Sequence, residues 1–208
     1  MVKTLIFALL ATMCATFLWG CGGKVSYTTV DGTMLGTTLH VVADVQGTSP
    51  QELYAAVMAL DREAKASMSI FDPASLLSRL NRNQTDSVDR HIAFNLRLAD
   101  SISSLSDGRY DVTVKPLVEA WGFAGKEAQE NPNVDSILAF VGRQKVRIEN
   151  GLLIKDDPRV QLDFNSIAKG YTVDLLAQLV ESFGARNYIV DIGGEVRCKG
   201  VNRQGDPW

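Results

Sequence analysis

Histidine and cysteine are scarce in this chain, two and three residues among 208. No His/Cys/Glu cluster therefore has zinc-ligand spacing. His40 falls in a strand-like run and His91 near a helix start, and both read as structural. No block of Lys and Arg occurs and the net charge is −3, which excludes a surface built to neutralise nucleic-acid phosphates. Gly-x-Ser-x-Gly and Walker patterns are missing, as are internal repeats. What remains is an ordinary globular composition, 46% hydrophobic and 22% charged, with length for one domain.

The one long uncharged run is at the start. Lys3 precedes an apolar stretch from Leu5 to Trp19. It is short of the ~20 residues that a membrane helix needs and fits a signal-peptide core. It ends at Leu18-Trp19-Gly20-Cys21, which resembles a bacterial lipobox. The expectation is a signal over residues 1–20, a tether over 21–30, and a lipid on Cys21 as membrane anchor. An uncleaved N-terminal anchor is the alternative, and both readings export the protein. Cys14 leaves with the signal, so Cys198 alone remains in the domain and no internal disulfide forms. In its strand-like run Cys198 reads as a small apolar core residue.

Periodicity supplies the elements. Alternation starts at Tyr27, and Leu39 to Val45 reads as a strand. Ser49-Pro50-Gln51-Glu52 is a capping box with Pro at the first helical position. Leu53, Val57, Leu60 and Ala64 mark that helix's buried face. Ser69 to Asp86 reads as a polar segment. A second helix spans Asp89 to Ser106 with Ile92, Leu96, Ala99 and Ile102 inward, stopped by Gly108. Asn133 to Phe140 reads as a short helix, and Val146 to Lys155 as a hairpin turning at Asn150-Gly151. A strand at Val160 runs into a helix with Ala168, Tyr171, Leu175 and Leu179 on one stripe. Tyr188 to Val196 reads as a strand interrupted at Gly193-Gly194, a pair that either lets the backbone approach a ligand closely or forms a bulge, the bulge being the expectation. Helices and hairpins mix without a βαβ rhythm, so the fold class is α+β.

The chemistry concentrates at the joint Asp163-Phe164-Asn165-Ser166-Ile167-Ala168-Lys169-Gly170. A helix N-terminus favours anions, and Lys169 in the first turn adds a mobile positive charge. Asp163 at the strand end can hold a hydroxyl or ring nitrogen, or complement a metal. The bland alternative is an Asn165 cap flanked by two solvated charges. Phe71, an aromatic in a polar loop, either stacks on a planar ring or tucks into the core. Gly108-Arg109-Tyr110-Asp111 taken alone is a turn.

Five ordered segments carry a resemblance: GTMLGT from Gly32, MSIFDPASLLSRLN from Met68, DGRYDVTVKPLVEAWGF from Asp107, DFNSIAKGYTVD from Asp163, and YIVDIGGEV from Tyr188. Together they resemble the ApbE family of bacterial FAD:protein FMN transferases, over residues 31–208. The resemblance implies that Mg²⁺ and FAD bind, and that FMN passes to a Thr or Ser hydroxyl of an acceptor flavoprotein subunit, with release of AMP. By the same resemblance Leu35, Phe71, Arg109, Tyr110, Asp111, Asp163 and Lys169 line the FAD site, and Ser166 offers its backbone carbonyl to the metal. Members of the family run beyond the position matching Trp208, into a segment with Asp and Thr metal ligands. The expectation is therefore an N-terminal portion that binds Mg²⁺ poorly and transfers little FMN. Two other activities stay open: Mg²⁺-dependent FAD hydrolysis to FMN and AMP, and a non-catalytic FAD-binding lipoprotein.

Overall fold

A computed structural model describes residues 26–208. The lipobox, Cys14, Cys21 and the first part of the tether lie outside the described residues. Strand β1 (Thr28–Met34) turns through Leu35 and Gly36 into β2 (Thr37–Ala43). Both turn residues have positive φ, 51° and 78°. That is the two-residue type I′ geometry matching the twist of paired strands, although leucine adopts it only under strain. Strands β5 (Tyr188–Ile192) and β6 (Glu195–Lys199) form a second hairpin far along the chain. β2 pairs with β5, Leu39 opposite Ile192, giving an antiparallel sheet ordered β1-β2-β5-β6. The bulge expected at Gly193-Gly194 is instead a tight turn, φ 57° and 88°, because two successive glycines accept two positive φ values without cost. A Cβ on Gly193 would lie 2.5 Å from Cγ2 of Thr37.

Helix α1 (Pro50–Met68) starts at the expected capping box: Ser49 Oγ accepts from Glu52 N–H, and the Glu52 carboxylate accepts from Ser49 N–H at 2.8 Å. Helix α2 (Leu76–Asn81) arises inside the segment read as merely polar. At six residues it is too short for a helical period to show, yet Leu77 and Leu80 are fully buried. α3 (Arg90–Leu105) is capped by Asp89 and closed at Ser106. Two further short helices, α4 (Lys115–Ala120) and α5 (Val134–Leu138), precede the β3 (Val146–Glu149) and β4 (Leu152–Lys155) hairpin, whose turn is at Asn150-Gly151. α6 (Ala168–Ser182) closes the helical set. The architecture is α+β, as the sequence indicates.

Two apolar clusters result. One lies between the sheet and the helices α1 and α6, around Leu53, Val57, Leu176, Val180, Val190 and Ile192. The other gathers α2, α3 and the end of α1 around Leu77, Ile92, Leu96, Leu162 and Phe164. α6 serves both, so its buried arc is wider than the stripe expected. Tyr171, Thr172, Val173, Leu176, Ala177 and Val180 are buried, while Ala168, Leu175 and Leu179 are only partly so.

Strand β6 corrects the reading of Cys198, which is exposed. The register places Glu195, Arg197 and Lys199 opposite Ile192, Val190 and Tyr188. These three reach α6 as ion pairs: Glu195 to Lys169 at 3.4 Å, Arg197 to Asp174 at 2.6 Å and Lys199 to Glu181 at 2.9 Å. The alternate residues Val196 and Cys198 therefore face solvent. Charges along an edge strand also blunt it against further pairing.

His91 is buried, with Nδ1 3.0 Å from the Tyr171 hydroxyl and Nε2 2.8 Å from Glu63. His40, exposed on β2, meets Asp31 at 2.6 Å.

The expected strand at Val160 is an extended segment whose one ladder contact is a parallel bridge between Gln161 and Val114. Its missing neighbour is replaced by a side chain. Asn81, at the end of α2, donates Nδ2–H to the Leu162 carbonyl at 2.8 Å and accepts Leu162 N–H at 2.7 Å. All the participating atoms are buried, so losing the amide orphans two backbone groups. Asn81→Leu is expected to cost about 2–4 kcal/mol, seen as a lower urea midpoint with an unchanged slope.

Candidate functional site

The site grows from the segment that Asn81 clamps. Asp163 N–H donates to the Val112 carbonyl at 2.8 Å, laying the DVTV run of Asp111 to Val114 beside it. The Asp163 side chain is buried, and its Oδ1 accepts Asn165 N–H at 2.7 Å. That bond turns the chain out of the extended conformation. The Phe164 carbonyl then accepts from both Ile167 and Ala168, starting α6. Asn165 thus gives its backbone N–H to the turn while its side chain caps no helix amide among the described residues, and Ile167 at the cap position has no side-chain bond. Among the described residues, the amides of Lys169 and Gly170 and the carbonyl of Ser166 have no backbone partner. An open, uncapped helix start of this kind attracts anions.

The charges around it are not solvated as a plain surface joint would have them. Burial pushes the Asp163 carboxyl above its ordinary range, opposed by the Asn165 amide and by Lys115, while Glu119 adds to the rise. Lys115 is itself buried and paired with Glu119. Lys169 donates to the Gly193 carbonyl at 3.2 Å and lies 3.4 Å from Glu195. Gly170 gives that carboxylate its place, since a Cβ there would lie 2.8 Å from Glu195 Oε2.

A cleft of about 690 Å³ opens beside the joint, within the size range of small-molecule sites. Leu35, Phe71 and Lys169 line it, as do Thr37, Lys65, Met68, Asp72, Asn165 and Ala168. Phe71 is 67% exposed, which settles its two readings: the ring is available for stacking and is not core. Tyr110 and Ser166 join hydroxyl to hydroxyl at 2.8 Å next to the joint. Burial raises the Tyr110 phenol, with the Ser166 bond pulling the other way. Asp111 is differently employed. Its Oδ1 takes Thr113 N–H and Oγ–H, and its Oδ2 takes Arg143 N–H at 2.7 Å, so it knots the loop. Arg109 is exposed and outside the cleft lining. The structure therefore gathers Leu35, Phe71 and Lys169 in the cleft and Asp163, Ser166 and Tyr110 beside it, but brings neither Arg109 nor Asp111 to it.

Sequence reasoning missed Lys65 and Asp61 of α1. Asp61 Oδ2 pairs with Lys65 at 2.7 Å, a helical i,i+4 contact visible in spacing alone. Its Oδ1 accepts Leu35 N–H at 2.8 Å, a contact that no local pattern reveals. A second cavity, about 440 Å³, contains Lys155. That lysine donates to the Leu80 carbonyl and to Asn83 Oδ1, closing the end of α2, and burial lowers it to about 8.

The cleft's apolar wall, exposed aromatic and lysines suit a ligand that joins a planar ring to an anionic group. A magnesium site is not complete. Mg²⁺ takes carboxylate and phosphate oxygens in octahedral array, and no group of three acidic, His or Cys side chains among the described residues could hold a metal. The uncommitted Ser166 carbonyl is a single donor.

The profile of the ApbE family matches residues 35–208. The FAD:protein FMN transferase of Haemophilus influenzae is 34% identical, covering 100% of this chain and 64% of the relative. That of Vibrio cholerae is 33% identical over 96% of this chain and 63% of the relative. The chain thus spans a little under two thirds of the length of these relatives. Among solved structures, the flavin transferase ApbE from Vibrio cholerae superposes with a TM-score of 0.82 at 32% identity, covering 88% of this chain and 62% of that one. The apo flavinyl transferase ApbE of Pseudomonas stutzeri gives 0.82 at 28% identity, over 89% and 64%. By sequence and fold, this chain belongs to the ApbE family.

Proposed function

We propose that this chain carries the FAD site of an FAD:protein FMN transferase. Its acceptor is a Thr or Ser hydroxyl of an exported or membrane redox subunit. One observation carries the reading: an exposed aromatic and a cation at an uncapped helix start share one cleft, beside a buried carboxylate. Phe71 offers a face to the isoalloxazine ring. Lys169 and the free amides of α6 receive the phosphates. Asp163 Oδ2, which accepts no hydrogen bond among the described residues, takes an N–H or O–H of the ligand. In the transfer the acceptor oxygen bonds to the FMN phosphorus as the bond to the AMP oxygen breaks, and the hydroxyl loses its proton. Positioning and charge neutralisation are what the protein supplies. Magnesium dependence belongs to the proposal, with Ser166 giving one carbonyl; the steps assigned here rest on Phe71, Asp163 and Lys169.

The test is incubation of the protein with FAD and a threonine-bearing acceptor. Labelled acceptor with stoichiometric AMP supports transfer. AMP without label points to hydrolysis, and flavin binding without AMP points to a binding lipoprotein. Lys169→Ala is expected to weaken FAD binding at least about tenfold, read by quenching of flavin fluorescence.

Asp163→Asn separates stability from binding. Because burial raises this carboxyl, the folded state holds its proton more tightly than the unfolded state does. Stability is then lost as pH rises from the ordinary carboxylate range through the raised value. Asn keeps the acceptor for Asn165 N–H without the buried charge. The variant is expected to have a higher urea midpoint at neutral pH than the wild type, and weaker FAD binding.

The proposal also puts the protein on the periplasmic side of the bacterial inner or outer membrane through lipid on Cys21. Cys21→Ala is expected to move it from the membrane fraction to the soluble fraction, measured by immunoblot after cell fractionation.

A further inference from the structure

The cleft holds two cations among its lining residues, and the proposed function employs one. Lys65 reaches it from α1 as Lys169 does from α6. Lys65 is tied to a carboxylate that is itself buried, Asp61 being 7% exposed. The two Asp61 oxygens do separate work: Oδ2 meets Lys65 Nζ at 2.7 Å, and Oδ1 accepts Leu35 N–H at 2.8 Å. Leu35 is the residue held at φ 51°, and it lines the same cleft. A strained turn persists only where its surroundings hold it, and here one buried acid holds the turn and the lysine together.

Lysine has three N–H donors, and Asp61 takes one. The remaining two are available, on a side chain that is 45% exposed. Lys169 already donates to the Gly193 carbonyl and faces Glu195, and Lys65 is paired with Asp61, so the charge of each lysine is shared. A phosphate in a mostly apolar cleft needs more positive charge than a half-neutralised lysine gives.

We propose that Lys65 is a second phosphate-binding residue of the flavin-nucleotide site, and that Asp61 is its positioning residue, fixing both Lys65 and the Leu35 turn. This rests on the flavin reading of the cleft, and the phosphate-bearing half of the ligand is what Lys65 recognises. It makes the site selective for flavin nucleotides over the unphosphorylated flavin.

The experiment compares FMN with riboflavin, by fluorescence quenching, on the full chain and three variants. The wild type is expected to prefer FMN. Lys65→Gln loses roughly tenfold in FMN affinity with riboflavin unchanged, and Lys65→Arg retains the preference. Asp61→Asn, which keeps an acceptor for Leu35 N–H, loses FMN affinity about threefold and leaves riboflavin unchanged. Equal losses for both ligands, or an unchanged FMN affinity in Lys65→Gln, overturn the assignment while leaving the flavin site standing. A wild type that binds neither ligand overturns the flavin reading itself.

Discussion

The amide of Asn81 sets the register of everything around the cleft. A peptide segment buried between helices must find partners for its N–H and C=O groups, and on the side of Leu162 no strand among the described residues provides them. One asparagine does so with both ends of its side chain. It thereby fixes Asp163 one residue on, the Asn165 turn two residues after that, and the first turn of α6 with Lys169. An acid or a lysine at this joint could not be placed to a fraction of an ångström by the helix alone, because the helix starts without a side-chain cap.

The cleft is bordered by features that each cost stability: a left-handed leucine, a buried carboxyl, and a helix start with free amides. Such costs collect where a ligand is to be received. Two apolar clusters on either side absorb them, and α1 and α6, which contribute to both, supply the rigid walls. Asp61 shows the economy of the arrangement, since one carboxylate secures a strained turn and a cleft cation at once.

Local signals in the sequence were legible because their physics is local. Ser49 to Glu52 caps α1 as its pattern says, Asn150-Gly151 turns its hairpin, and the acid, lysine and glycine of the α6 start do lie together. The misreadings involve long-range context. Cys198 sits in an apolar-looking run, but the register with β5 turns its charged neighbours toward α6 and leaves Cys198 on the other, exposed face. Gly193-Gly194 reads as a bulge from the sequence, and only the return of β6 against β5 makes it a turn. α2 is too short for periodicity, and its importance lies in an Asn81 contact spanning 81 positions. Lys65 was visible as an ion-pair partner of Asp61, whereas its address in the cleft depends on where Leu35 lies.

The order of the strands has a consequence for assembly. The hairpins β1–β2, β3–β4 and β5–β6 close through two-residue turns, and such local contacts form early. The seam between β2 and β5 joins Ala43 to Tyr188 and must wait for the chain between them, because closing a long loop has to precede the contacts that reward it. Thr37 and the Gly193 carbonyl, which meet Gly193 and Lys169 respectively, come together only across that seam. During synthesis the cleft is therefore among the last parts to mature, because Lys169 meets the Gly193 carbonyl in its final place only once the fifth strand has docked.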